Sequence, residues 1–552
     1  MTITNSDKAL KFLGSRMNRR RAISTAGKIA IGAGVVVVAG AGATTYFLSQ
    51  PPTSTTIEKP DTVVIAFNSV VPNMDPHALN ASAVEQSPFM AIFDPFIQQD
   101  RNLNWKPGVV SEWKWSSDKL NLNLKIQKDV KFHNGDALTA EDVAFSLERL
   151  ASPEMPYGYG IFNAQKPEVL DDYSVRCVFG DIYPGWEVWL GFLDSLVLPK
   201  KYYEEVGLDG FLAHPVGSGP YKLKKFVLDS VIELEAFDDY WQGPAPVKNI
   251  IFKIVQNASS RTAEIESGSS DITSETSISD YERLSQMPNL KGVKQLITDT
   301  AYLVLAPMYN EEIADLDIRL AMHYAIDKKE LTEKVMQGFG NPLSTLEAPG
   351  YAAYIDDYHF PYDPEKAKNL LAKSGYSTEK PLKITAGGYS GWRTRDLEFM
   401  QAIVGMWKKV GIEADFKYYS DVVDFFAKMD AGQLYAASLY YWANSSGEFW
   451  NTTGYATWPE SPFSPWLAVA DKITNPDMLQ LRDNLNEKLG NIWVETDDAK
   501  RRQLEKEAVV YVVEQGMVIP LFQPASPIIM KKELQYDPFP QGWTIPQAMS
   551  WG

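Results

Sequence analysis

The stretch Val130-Lys-Phe-His-Asn-Gly-Asp-Ala-Leu-Thr-Ala-Glu-Asp-Val-Ala-Phe-Ser-Leu-Glu-Arg149 decides the fold. Thr139 and Asp142 have the spacing of a capping box, in which a hydroxyl and a carboxylate satisfy backbone N–H groups at a helix start. Val143, Leu147 and Leu150 then recur on one helical face. Ahead of the cap, Val130 to His133 reads as a strand and Gly135 as its turn. A strand, a turn and a capped helix together require a sheet on which the apolar face of the helix can rest.

The same alternation of elements extends in both directions. Leu120-Asn-Leu-Asn-Leu-Lys-Ile-Gln127 and Ile412-Glu-Ala-Asp-Phe-Lys-Tyr418 alternate apolar and polar residues, as strands with one wet face do. Asp363-Pro364 places an N-cap before a first-turn proline, and Gly375 stops that helix. Asp327 and Glu330 start another helix, running to Met336. Strands and helices intermix without a solenoid period or heptads, so the class is α/β, or mixed α+β.

At 552 residues the chain exceeds one ordinary core, and two large lobes or three domains are expected. Aromatic residues reach 12%, enough to fill a large core and also line a cavity. A net charge of −17 repels phosphate backbones and argues against nucleic acid as a partner. Cys177 is the single cysteine, so no disulfide framework exists and no cysteine follows the leader to be lipidated.

The first 28 residues carry Lys8, Lys11, Arg16, Arg19, Arg20, Arg21 and Lys28 against Asp7 alone. Ile29–Leu48 is uncharged and largely apolar or small, with enough residues for a helix of about 30 Å. The basic flank stays in the cytoplasm and the remainder lies outside. Arg20-Arg21-Ala22-Ile23 resembles a twin-arginine export signal, and Ala39-Gly40-Ala41 and Ala41-Gly42-Ala43 are candidate cleavage sites. Cleavage and retention as a membrane anchor both fit. Residues 49–60, rich in Pro, Ser and Thr, form a tether.

The full wording of 130–149 resembles a signature of the peptide/nickel class of solute-binding proteins, the oligopeptide- and dipeptide-binding receptors (family 5) of ABC importers. Further matches keep that family's order: Ser111-Glu-Trp113, His214-Pro-Val-Gly-Ser-Gly-Pro-Tyr221, Asp239-Tyr-Trp-Gln-Gly243, Asp317 to Asp327, Tyr362 to Leu371, and Trp407-Lys-Lys-Val-Gly-Ile412. The resemblance runs from about Asp61 to the C-terminus. It implies a two-lobed, periplasmic-binding-protein-like fold (type II, enlarged by an extra subdomain), with a ligand cleft between mixed sheets flanked by helices and a hinge motion that closes it. By analogy, lobe I spans 61–298 with the subdomain at about 100–210, lobe II spans 299–528, and 529–552 returns to lobe I. His214, Gly217 and Gly219 belong to a turn near the hinge rather than to the site.

Peptide-binding relatives pair an aspartate with the ligand's α-ammonium in a segment resembling Gly-Trp-x-x-Asp. The aligned run here is Tyr441-Trp442-Ala443-Asn444-Ser445-Ser446-Gly447-Glu448, with Ser445 at the aspartate position. A buried ammonium needs a counter-charge that a hydroxyl cannot supply. Either Glu448 has taken over, or the ligand lacks a free amine; the second is preferred. Asn444, Ser445 and Ser446 beside Tyr441 and Trp442 suit a polyhydroxylated ligand, an oligosaccharide, with a peptide as the other candidate. Trp442 also suits a framework role. Arg393 and Arg395, after Trp392, lie where dipeptide-binding relatives carry a carboxylate-anchoring arginine. Trp450, Tyr455 and Trp458 are candidates for the cleft floor or rim. In lobe I, Asn80, Ser82 and Glu85 fall in a segment that faces ligand in relatives.

Enzyme motifs are absent: His77, His133, His214, His323 and His359 form no zinc pair, and no nucleophile elbow or phosphate-binding glycine loop occurs. A hidden glycosidase carboxylate pair is the enzymatic alternative. A surface sensor using the same cleft is the other alternative to import, and a metal chelate held by arginine and tryptophan is a further ligand class. The expected partners are a small solute and membrane permease subunits, for a monomeric protein without cofactor or bound metal, outside the cytoplasm.

Overall fold

A computed structural model describes residues 60–78, 83–155, 161–183, 185–191, 195–307, 310–389, 395–420, 424–425, 427–428, 435–459 and 473–552. The basic leader, the apolar segment and most of the tether lie outside them, as do Asn80, Ser82, Trp392 and Arg393. Among the described residues no helix is long and apolar enough to cross a membrane.

Val518–Lys531 is the strand on which the architecture turns. Its first half pairs antiparallel with Asp299–Leu305, as in Leu303↔Ile519, and its second half with Leu290–Leu296, as in Leu296↔Ala525. The change of partner falls at Gln523-Pro524-Ala525. Pro524 has no N–H to donate, which suits a place where one ladder stops and another begins. On one side of this strand lie Asp299–Leu305, Ala437–Ala443, Leu382–Tyr389 and Ile412–Tyr419, in that order. On the other lie Ile272–Thr273, Thr62–Phe67, Asn249–Ile254, Val231–Ala236 and Tyr221–Val227. The chain thus passes between two half-sheets at 296–299 and again at 523–525.

A separate four-stranded antiparallel sheet, of Val110–Trp115, Asn121–Ile126, Ser174–Phe179 and Gln165–Asp171, carries the helix Ala140–Leu150. The capping box is formed: Thr139 N–H donates to Asp142 Oδ2 at 2.8 Å, and Thr139 Oγ1 caps the reciprocal backbone. Val143, Leu147 and Leu150 are buried together with Leu122, Leu124 and Cys177. Val130–His133, expected as a strand, is instead one arm of a tight loop with the single bridge Lys131↔Ala137. Phe132 N–H to Asp136 O (2.9 Å) and Gly135 N–H to Phe132 O (2.9 Å) close the loop too early for a ladder to grow. The helix expected from Asp327 to Met336 also differs. After Lys328–Glu330 it widens into a π-turn over Leu331–Val335, where Thr332 Oγ1 donates to Lys328 O and Lys329 O.

Three large cores follow this layout, one beneath each half-sheet and one beneath the four-stranded sheet. The last also takes in Phe449, Tyr455, Trp458, Trp493 and Val509, so the small sheet and the helices Pro476–Val494 and Asp498–Glu514 share an apolar interior. The tail returns to the first half: Trp551 Nε1 donates to Thr62 O at 3.3 Å, Thr544 N–H to Ser87 Oγ at 2.9 Å, and Arg101 lies 4.2 Å over the Phe539 ring.

Candidate functional site

The strand Ala437–Ala443 presents Tyr441 and Trp442 to opposite faces. Tyr441 is buried and its hydroxyl donates to Asp396 Oδ1 at 2.8 Å, so it braces the start of the helix Asp396–Val410. Trp442 is half-buried and packs against both the large core and the core of the four-stranded sheet.

Beyond the strand, Asn444 N–H donates to Thr298 O at 2.6 Å, which fixes the loop to the first crossing segment. Asn444 then organises the turn: Oδ1 accepts from Gly447 N–H (2.8 Å) and Ser446 Oγ (3.1 Å), and Nδ2 donates to Glu448 O (3.2 Å). Gly447 sits at φ +71, where a side chain is strained and would press on Leu103. Ser446 Oγ also accepts from Glu448 N–H and Asn451 Nδ2, both at 3.2 Å. Asn444 and Ser446 therefore use their polar atoms within the turn. Ser445 does not: it is only 4% exposed, yet its hydroxyl meets no polar atom among the described residues.

Glu448, the alternative counter-charge, is occupied. Its Oε2 lies 2.7 Å from Arg502 Nη1, and its Oε1 accepts from Trp105 Nε1 at 3.4 Å. The same Arg502 Nη1 reaches Glu505 Oε2 at 2.8 Å. Burial opposes the Arg502 charge, but Glu448 and Glu505 outweigh it and hold the guanidinium firmly protonated.

Neutral amides collect around the crossover. Gln99 Nε2 donates to Ser446 O at 2.7 Å, and Gln99 Oε1 accepts from Gln541 Nε2 at 3.2 Å. Gln523 Nε2 donates to Ile297 O at 3.0 Å. Backbone bonds bind the segments into one cluster: Ile297 N–H to Pro524 O (3.0 Å) and Thr298 N–H to Pro540 O (2.7 Å). Within it, the side-chain oxygens of Ser445, Gln523 and Gln541 are buried and have no partner among the described residues. Such atoms cost free energy unless a bound group or water meets them. The unpartnered oxygens here are one hydroxyl and two amides, none charged; the buried Asp299 lies on the adjoining strand, in register with Ala443.

A carboxyl stands behind it. Glu347 is fully buried; Oε1 accepts from Thr452 Oγ1 (2.5 Å) and Thr453 Oγ1 (2.6 Å), while Oε2 has no partner among the described residues. Burial pushes its pKa up to about 7, countered by the two threonine hydroxyls and reinforced by Glu505.

The remaining candidates disperse. Trp450 is half-buried, 5.0 Å edge-on from Trp493, and Trp458 is fully buried against the same ring, so both pack with the core of the four-stranded sheet. Tyr455 is buried beside Trp189 at 6.0 Å. Arg395 donates Nη1 to Val335 O at 2.9 Å and starts its helix at φ 67. Glu85 accepts from Ser69 Oγ at 3.0 Å. Gly217 and Gly219 are scaffold: a Cβ at either would strike the backbone of Ala91 or Ile92. Sequence reasoning missed Gln99, Gln523, Gln541, Glu347 and Arg502. Only Gln523 carried a local signal, a lone amide inside the apolar run Val518–Met530.

With this geometry in place, comparison with known proteins is informative. The family model "Bacterial extracellular solute-binding proteins, family 5 Middle" matches residues 104–460. The chain is similar to heme-binding protein A of Haemophilus influenzae, 28% identical over 481 residues, 79% of this chain and 83% of that protein. It is similar to di/tripeptide-binding protein 1 of Pseudomonas aeruginosa, at 25% over 453 residues, 75% of this chain and 80% of that one. In fold it resembles the periplasmic binding protein DppA of Helicobacter pylori, solved with the peptide STSA. That likeness has a TM-score of 0.70 and 21% identity, and covers 89% of this chain and 98% of that one.

Proposed function

The chain belongs to the bacterial extracellular solute-binding proteins of family 5, and from that membership we propose that it captures an oligopeptide-sized solute lacking a free α-ammonium, an oligosaccharide ahead of an amino-blocked peptide, and delivers it to a membrane permease. The family consists of extracytoplasmic peptide- and heme-binding receptors of ABC importers, not of enzymes. The finer reading concerns the solute. It rests on one observation: Ser445 stands where the resemblance expects an aspartate, and the nearby Glu448 is engaged by Arg502 at 2.7 Å.

A desolvated ammonium at Ser445 would find no free carboxylate in its own turn, and an unpaired one costs several kcal/mol. Hydroxyls or blocked amides carry no such cost, and the oxygens of Ser445, Gln523 and Gln541 would accept hydrogen bonds from them. Trp442, half-buried beside the loop, offers a flat apolar face to the C–H side of a sugar ring.

Thermal shift tests the proposal, because selective binding raises the melting temperature. Maltotriose, chitotriose, trialanine and N-acetyl-trialanine are compared at equal concentration. Oligosaccharides or the acetylated peptide should raise the melting temperature more than trialanine does. A larger rise with trialanine than with all three others would refute it.

A further inference from the structure

We infer that Arg502 is a specificity-determining residue of the solute site: by engaging Glu448, it withholds from the solute a carboxylate that would otherwise receive an ammonium. The inference rests on the proposed preference for solutes without a free amine, and assigns its physical origin to a residue outside the Ser445 loop.

Glu448 is three residues beyond Ser445, on a turn held rigid by Asn444 and Ser446. It is the one carboxylate of that turn. Two groups converge on it from different elements, Trp105 Nε1 at 3.4 Å and Arg502 Nη1 at 2.7 Å. Both its oxygens are thereby used. Arg502 is itself anchored, because the same nitrogen reaches Glu505 Oε2 at 2.8 Å and Glu505 is 1% exposed. Arg501 Nε approaches Glu505 Oε1 at 3.8 Å. The guanidinium is therefore fixed on the helix Asp498–Glu514 by a buried acid and cannot be drawn away from Glu448 without leaving Glu505 short of its partner.

A carboxylate already paired with a guanidinium gives little further attraction to a second cation. Without Arg502, Glu448 keeps only the indole N–H, and the turn regains a net negative charge beside Ser445. The arrangement in the wild type thus cancels charge where a receptor for free peptides needs it.

The test compares wild type with Arg502→Gln for binding of trialanine and N-acetyl-trialanine by calorimetry. The variant's affinity ratio of free to acetylated peptide should rise by about tenfold or more, the scale of a hydrogen bond to a charged group. Adding Glu448→Gln should return the ratio to the wild-type value. If Arg502→Gln does not fold, Arg502→Gln/Glu505→Gln removes the stranded acid and gives the same comparison. An unchanged ratio, or no binding of trialanine to the variant at millimolar concentration, overturns the inference. A wild type that already favours trialanine over its acetylated form overturns the proposed function instead.

Discussion

Gln99 donates its side-chain amide to the carbonyl of Ser446 at 2.7 Å, across 347 positions of sequence. The bond joins the short hairpin Ile97–Gln99/Trp105–Pro107 to the loop that carries Ser445. Leu103, from the same hairpin, lies against Gly447 and Gly350. The first half of the chain is thereby seated on the Ser445 loop of the second.

Removing that bond should loosen the contact between the two halves without unfolding either. Gln99→Ala loses a contribution of about 1 kcal/mol and leaves the Gln541 amide without its acceptor. Solution scattering should show a larger radius of gyration for the ligand-free variant than for wild type. Identical curves would mean that the contact does not hold the halves together.

Ser445→Asp restores an acid where the resemblance expects one. The side chain is buried and its hydroxyl has no partner among the described residues, so a carboxylate there is available to a ligand ammonium. Affinity for trialanine should rise about tenfold to a hundredfold over wild type. Calorimetry checks this, and no gain would place the ligand's amino end elsewhere.

Arg149 and Asp75 form a two-pronged buried pair at 2.9 and 2.6 Å, and Asp75 Oδ1 also accepts from His77 N–H. Arg149→Met strands the carboxylate and should cost about 3–5 kcal/mol, read as a lower urea midpoint. Asp75→Asn/Arg149→Met should recover part of that loss. A single variant as stable as wild type would show that the pair is dispensable.

Glu347 makes stability depend on pH in a definite direction. Its folded pKa of about 7 exceeds its ordinary value of 4.5, so the folded chain holds a proton that the unfolded chain releases. This contribution is complete below about pH 4.5 and is lost as pH rises toward 7. Glu347→Gln cannot titrate. Its stability relative to wild type should climb by on the order of 3 kcal/mol across that window and level off above it. A difference independent of pH would contradict this assignment.

The parts of the molecule legible in the sequence are those written locally. The Thr139–Asp142 cap, the alternation at Ile412–Tyr418 and the Asp363-Pro364 helix start each depend on residues within a few positions, and each is present. The π-turn after Glu330 was not legible, because it follows from hydroxyl bonds that Thr332 makes only once the helix exists. The site divides in the same way. Ser445 stood out because its neighbours set the frame. Trp458 read as a candidate for the cleft floor or rim, and an aromatic near a site looks alike in sequence whether it faces ligand or Trp493. Gln99, Gln541 and Arg502 reach the loop from separate segments, and no spacing along the chain encodes those meetings.

Native mass spectrometry of the purified full-length protein tests the central claim most directly. The account predicts a captured solute of discrete mass that leaves chemically unaltered on denaturation and does not react with an amine-labelling reagent at an α-amino group. Release of a peptide that is labelled at its amino terminus would contradict it.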